Sequence, residues 1–363
     1  MSFEHIRGQE RAIAQVQAWL KTRRLPHAIL ICGPAGTGKR RLAIEQAKAI
    51  NCREGFGEAC DRCVSCHKIE TLIHPDVLAL LPHPPRRVTR GESRLPEGLR
   101  KALLEYVGEG GSLPRVSANI PRDHIRILQR EMSYSPLEAA RKTGLIFEAE
   151  CMSSAGANSL LKILEEPPGN AIFILVSPAP HRLLPTIRSR CQLLPLGRLS
   201  QEEVINTLQS KGLEPHRAEL AARIGAGSLQ RSAQVISEDF DQTRDQVEAF
   251  LWDGLNRKDE SYWTVLDRLG TRENRERIES FLEICGLYLR DLFLLAHGRE
   301  KEIVHFDRLD FLLKLQSIFD LHRIEAAAME IDRSLESLAR NVNSSLVLVD
   351  LWRQLRNRSS TEI

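Results

Sequence analysis

No run of about 18 or more apolar residues occurs anywhere in the 363-residue chain, so no transmembrane helix is expected. Charge of one sign is also lacking. Lys and Arg number 51 against 48 Asp and Glu, a formal net charge of +3. That balance argues against a strongly basic nucleic-acid coat protein and against an acidic tail protein. The opening Met1-Ser2-Phe3-Glu4-His5 has no basic stretch followed by an apolar core. No secretory signal is expected, and the cytoplasm is the expected location. Nor is the chain poor in core-forming residues. With 42% hydrophobic and 27% charged residues, global disorder is excluded. No long repeat is evident, and no proline follows Pro215.

That last absence divides the chain. From about residue 241 the sequence is proline-free and helically periodic. Ile278, Phe281, Leu282, Cys285, Leu289, Leu292, Phe293 and Ala296 recur at spacings of 3, 4 and 7, which predicts one buried helix face. Leu309–Phe319 and Ile324–Leu338 repeat the pattern. Residues 241–363 are expected to form an all-helical domain.

Residues 1–197 read differently. Short apolar runs at Ala28–Cys32, Val77–Leu81, Leu145–Phe147, Ala171–Val176 and Cys191–Leu194 alternate with helical patterns such as Arg40–Ile50, Arg122–Met132 and Ser153–Leu164. Strands alternating with helices predict an α/β domain with a parallel sheet. Residues 198–240 form a third part, opened by a capping-box pattern in which Ser200 precedes Glu203 by three residues. Pro82–Ser117, rich in proline, glycine and basic residues, reads as an exposed insertion, with a short helix expected near Glu97–Val107.

Two motifs carry chemistry. Gly33-Pro34-Ala35-Gly36-Thr37-Gly38-Lys39 follows an apolar strand and opens a helix. Glycines there let backbone N–H groups curl around phosphates, and a lysine in this place reaches the β- and γ-phosphates. Gly33, Gly36, Gly38 and Lys39 are therefore candidate nucleotide ligands for ATP or ADP. The next residue is Arg40, where the P-loop motif wants Ser or Thr to hold Mg²⁺. A guanidinium has no acceptor and cannot ligate a metal. On the second diagnostic strand Phe147 stands where the metal-binding Asp is expected, while Glu148 keeps the water-polarising position. Magnesium is not expected, and neither is ATP hydrolysis. The counter-reading is an active ATPase that recruits Glu148 or Glu150 to the metal.

The second motif is cysteine-rich. Of eight cysteines, Cys52, Cys60, Cys63 and Cys66 crowd into fifteen residues. In a reducing compartment such clustering points to metal rather than to disulfides. Four thiolates can close a tetrahedral zinc shell of the structural kind, stapling the Gly-rich excursion Glu54-Gly55-Phe56-Gly57. His67 or His74 in place of Cys52, and reduced unliganded thiols, stay open as alternatives.

With these residues in place the chain resembles the delta-prime members of the bacterial DNA polymerase III clamp-loader family. The resemblance is carried by Phe3-Glu4-His5-Ile6-Arg7-Gly8-Gln9, Arg24-Leu25-Pro26-His27-Ala28, the cysteines leading into His74-Pro75-Asp76, Asn158-Ser159-Leu160-Leu161-Lys162-Ile163-Leu164-Glu165-Glu166-Pro167-Pro168, Thr186-Ile187-Arg188-Ser189-Arg190-Cys191, and Asn341-Val342-Asn343 with Leu346 and Leu348. It implies an AAA+ module, comprising a P-loop domain with a zinc module and a small helical lid domain, followed by a helical collar. It implies a hetero-pentamer with delta and gamma/tau subunits that places a sliding clamp on primed DNA. It also implies that the chain itself does not hydrolyse ATP, although it is part of a DNA-directed DNA polymerase holoenzyme. Arg190 would act in trans as an arginine finger, with Arg188 as its nearby competitor. Gly227-Ser228-Leu229-Gln230-Arg231 resembles the sensor-2 region, which makes Arg231 a weaker candidate toward nucleotide. The alternative is an ATP-hydrolysing motor subunit of the gamma/tau type.

Overall fold

A computed structural model describes residues 3–4, 6–82, 119–236, 238–256, 260–269, 275–317, 321–340 and 342–357. The insertion expected at 82–117 therefore lies outside the described residues apart from Pro82. The chain divides into two compact units, 1–233 and 234–363.

The first unit is built on five strands: β1 (Ala28–Cys32), β2 (Val77–Leu80), β3 (Lys142–Ile146), β4 (Ala171–Ser177) and β5 (Gln192–Pro195). They are hydrogen-bonded in the order β2-β3-β4-β1-β5, every pair parallel. All residues of β1, β3 and β4 are buried, the signature of parallel strands covered on both faces. Side chains alternate between the faces. Ile29 and Ile31 pack with Val16, Leu42 and Ile50 on one side, while Ala28 and Leu30 pack with Ile125, Leu128, Leu160 and Phe173 on the other. The helices are α1 (Glu10–Lys21), α2 (Lys39–Asn51), α3 (Val64–Glu70), α4 (Arg122–Met132), α5 (Ser154–Glu165), the short α6 (Pro185–Arg188), and α7 (Gln201–Ser210), α8 (Pro215–Gly225) and α9 (Leu229–Gln234).

Strand β3 begins three residues before the apolar run that announced it. Lys142 and Thr143 hid its start. Both are buried, and each has a polar partner: Lys142 Nζ lies 3.6 Å from Asp76 Oδ1, and Thr143 Oγ1 accepts from Asn51 Nδ2 at 3.1 Å. The capping box at α7 forms as expected, with Glu203 N donating to Ser200 Oγ and Ser200 N to Glu203 Oε2. Residues 198–233 lie within the first unit, and position 240 falls inside the helix Glu238–Asn256.

The described part of the second unit is helical. Its longest helix, Arg275–Ala296, buries Ile278, Phe281, Leu282, Cys285, Leu289 and Leu292. The expected face needs one correction at its end. Phe293 and Ala296 are exposed, and Leu294 and Leu295 take the buried positions as the 3.6-residue period drifts past the heptad spacing.

Candidate functional site

The phosphate loop sits at the C-terminal end of β1, beside β4, where the strand order reverses direction in the chain. Ligands of open α/β sheets bind at such points. Two of its glycines are fixed by close approach. A Cβ on Gly33 would lie 2.2 Å from the carbonyl oxygen of Leu196, and one on Gly36 would lie 2.0 Å from Ser228 Oγ. Both also have positive φ, 143° and 74°. Gly38 is the N-cap of α2, and Lys39 its first residue. The loop is strapped from outside. Gln9 Nε2 donates to Gly197 O at 2.9 Å and to Thr37 O at 3.4 Å, while Gln9 Oε1 accepts from Gly197 N at 3.1 Å. The start of α9 rests on the apex, where Leu229 N donates to Gly36 O at 3.1 Å.

Lys39 is buried, and its ammonium donates to the carbonyl of Pro34 within its own loop. Burial pulls its pKa down to about 8, against the opposing pull of Glu148. Arg40, one residue on, turns to the end of β3. Its Nη2 lies 3.3 Å from Glu148 Oε1. Glu148 has a left-handed backbone, φ 48°, and opens the short turn Ala149–Cys151. Phe147 is fully buried in the apolar core of the sheet face that carries Ile29 and Leu42. Glu150 accepts from Ser177 Oγ, at the end of β4, at 2.6 Å. Burial first, then the adjacent Glu148 charge, pushes the Glu150 carboxyl up to about 7. Lys39, Arg40, Glu148, Glu150 and Ser177 thus form one cluster of charged and polar groups at the strand ends.

Arg231 lies exposed on α9, and its backbone N–H donates to Ser228 Oγ at 3.2 Å. Arg190 follows α6. Its Nη1 donates to Thr186 O at 3.0 Å, and its Nη2 pairs with Glu165 Oε1 at 2.7 Å.

The four clustered cysteines meet as expected. The Sγ atoms of Cys52, Cys60, Cys63 and Cys66 all lie within 4.8 Å of one another, and all four are free thiols. Tetrahedral thiolate shells with bonds of about 2.3 Å place sulfurs roughly 3.8 Å apart, so this set could hold a metal ion. Cys63 N donates to Cys60 Sγ at 3.3 Å and Cys66 N to Cys63 Sγ at 3.4 Å, bonds that favour thiolates. Burial opposes ionisation of Cys63, yet the backbone N–H groups of Cys66 and Arg53 and the thiols of Cys60 and Cys66 bring it down to about 6. His67 and His74 do not join. His67 is exposed, and the buried His74 accepts from Asp76 N through Nδ1 at 3.1 Å.

A charge network joins the cysteine turn to α2. Lys48 Nζ lies 2.9 Å from Glu45, 2.6 Å from Asp61 and 2.7 Å from Glu70, and Arg41 pairs with Glu45 and Glu70. Asp76 is fully buried and accepts backbone N–H bonds from Leu137, Glu138 and Ala139 at 2.7–3.0 Å. Asp76 lies in the His74-Pro75-Asp76 stretch that carried the resemblance, but nothing in the sequence pointed to its backbone partners. For the charge network, Arg41 and Glu45 at i,i+4 and Glu45 and Lys48 at i,i+3 were the local signals.

The chain matches the family model described as "DNA polymerase III, delta subunit" over residues 8–200. The chain belongs to this family. Individual relatives agree. DNA polymerase III subunit delta' of Bacillus subtilis is 29% identical over 301 residues, covering 82% of this chain and 81% of the relative. DNA polymerase III subunit gamma/tau of Mycobacterium bovis is also 29% identical, over 245 residues, but the match spans 65% of this chain and 37% of that protein. A solved gamma subunit-related protein of Thermotoga maritima aligns with 96% of this chain and 99% of its own length, at 17% identity and a TM-score of 0.46. The family match contains the phosphate loop, the four cysteines, Glu148 and Arg190. Arg231 falls beyond it.

Proposed function

We propose that this chain is the non-hydrolysing stator subunit of the clamp loader of the replicative DNA polymerase III holoenzyme. In that role it joins delta and gamma/tau subunits in a hetero-pentamer that loads the sliding clamp onto primed DNA in the cytoplasm. The single observation that supports it most is the Arg40–Glu148 ion pair at 3.3 Å, with Phe147 buried beside it. A guanidinium occupies the place of the metal-holding hydroxyl and engages the carboxylate that would polarise water. Nucleotide held by Gly33, Gly36, Gly38 and Lys39, with Arg231 as a weaker contact, would be held without turnover.

The cysteine set is assigned one structural zinc, since four thiols leave no position open for substrate. On the same reading residues 1–197, 198–240 and 241–363 serve as P-loop domain, lid and oligomerising collar. The chain's output is then a geometry. Arg190 is presented to a neighbouring subunit, where a guanidinium offsets the charge that builds on the transferred phosphoryl group. Such fingers contribute roughly 10³–10⁵ in rate at the site they serve.

The test is a ring reconstituted with Arg190→Ala. The variant is expected to assemble and to show lower DNA-stimulated ATP hydrolysis than wild type. An unchanged rate removes Arg190 from the mechanism. The gamma/tau-type relatives keep a motor reading in view, and it requires ATP turnover by this chain itself.

A further inference from the structure

The direction of Arg190 is set by Glu165, and we infer that Glu165 is the positioning residue of the arginine finger. This rests on the reading of Arg190 given above. The backbone around Arg190 is pinned on both sides. Ile187 and Cys191 are buried in the same apolar face of the sheet domain, Arg190 N donates to Ile187 O at 3.2 Å, and Cys191 N to Arg188 O at 3.3 Å. Burial pushes the Cys191 thiol up to about 12, so it stays a neutral anchor. The side chain leaving this turn has several rotatable bonds and would sample many directions if nothing else held it.

Two contacts remove that freedom. Thr186 O takes Nη1, and Glu165 Oε1 takes Nη2 at 2.7 Å. Glu165 is itself rigidly placed as the last residue of α5, with Pro167 and Pro168 fixing the chain just beyond it. A carboxylate at a helix C-terminus faces the negative end of the helix dipole, so this position does little for α5 alone, and a cation beside it is favoured. The two side chains are 34% and 49% exposed, so the pair stands at the surface, within reach of a neighbour. Each contact uses one N–H on a different terminal nitrogen of a group that carries five donors, and the others remain for a phosphoryl oxygen. Glu165 thereby orients the finger before the neighbour arrives, the kind of preorganisation that lowers the cost of reaching the reactive geometry.

Rings reconstituted with Glu165→Ala, Glu165→Gln, Arg190→Ala and the Glu165→Ala/Arg190→Ala pair decide it, each by DNA-stimulated ATPase with kcat and KM separated. Glu165→Ala is expected to lower kcat by about two- to fivefold, the rate equivalent of a partly exposed ion pair, with KM for ATP unchanged. Glu165→Gln, which keeps an acceptor oxygen, is expected to recover part of that loss. The double variant should be no slower than Arg190→Ala alone, as residues acting through one contact are not additive. A Glu165→Ala ring at or above the wild-type rate, or a double variant slower than Arg190→Ala, overturns the positioning role while leaving Arg190 in place. A wild-type rate for Arg190→Ala overturns the finger itself.

Discussion

Arg40 Nη2 stands 3.3 Å from Glu148 Oε1, at the point where a hydrolysing P-loop joins its metal to its water-polarising carboxylate. The side chains are 23% and 11% exposed, so the pair is partly sheltered from solvent. The purified chain is expected to show ATP turnover at background with magnesium present, and Lys39→Ala is expected to leave that background unchanged. Magnesium-dependent turnover of about 1 s⁻¹ or faster, lost in Lys39→Ala, would establish the motor reading instead.

Elemental analysis of the purified chain should give about one zinc per molecule, and Cys63→Ser should lose it. Because metal binding to such a turn is also folding energy, stripping it is expected to lower Tm by on the order of 5–10 °C. A metal-free chain with an unchanged Tm would remove the structural metal from the account.

The parts legible in sequence were those with a local signature. Ala28–Cys32 announced a fully buried parallel strand, and the next seven residues announced a phosphate loop, because both depend on consecutive residues. The cysteines met as their spacing predicted. Polar residues buried by distant partners were not legible. Lys142 looks like a surface lysine until Asp76 is beside it. The Arg40–Glu148 pair spans 108 positions, so the sequence could show two departures from the motif but not that they meet. The end of the Ile278 face differs because the 3, 4 and 7 spacing, carried one turn further, points to Phe293 and Ala296 where Leu294 and Leu295 are the buried residues.

Glu150 makes a pH prediction. Burial first, then the Glu148 charge, pushes its carboxyl up to about 7 from the ordinary 4.5. Between those values the folded state holds a proton that the unfolded state has released, so stability falls as pH rises. The contribution is present in full below about pH 4.5 and gone above about pH 7. Glu150→Gln is expected to flatten the urea-denaturation stability profile across that window. A profile identical to wild type would show that Glu150 is not the group responsible.

Asp76 accepts from three consecutive backbone N–H groups with no exposure to water. Asp76→Ala strands those donors and Lys142. A loss of about 2–4 kcal/mol is expected in denaturant unfolding, with faster hydrogen exchange at Leu137, Glu138 and Ala139. Exchange accelerated elsewhere but not at these amides would rule out the anchoring role.

Lys48 gives the cysteine turn a reach beyond its own thiols. With a side chain only 3% exposed, it is neutralised from two directions: Glu45 on its own helix, and Asp61 and Glu70 on the cysteine side. Opening the turn would withdraw Asp61 and leave Lys48 to share Glu45 and Glu70 with Arg41, on the helix whose first residue is Lys39. The cysteine turn is thereby tied through Asp61 to the middle of the helix that follows the phosphate loop, so unfolding the turn costs that helix one of its polar contacts.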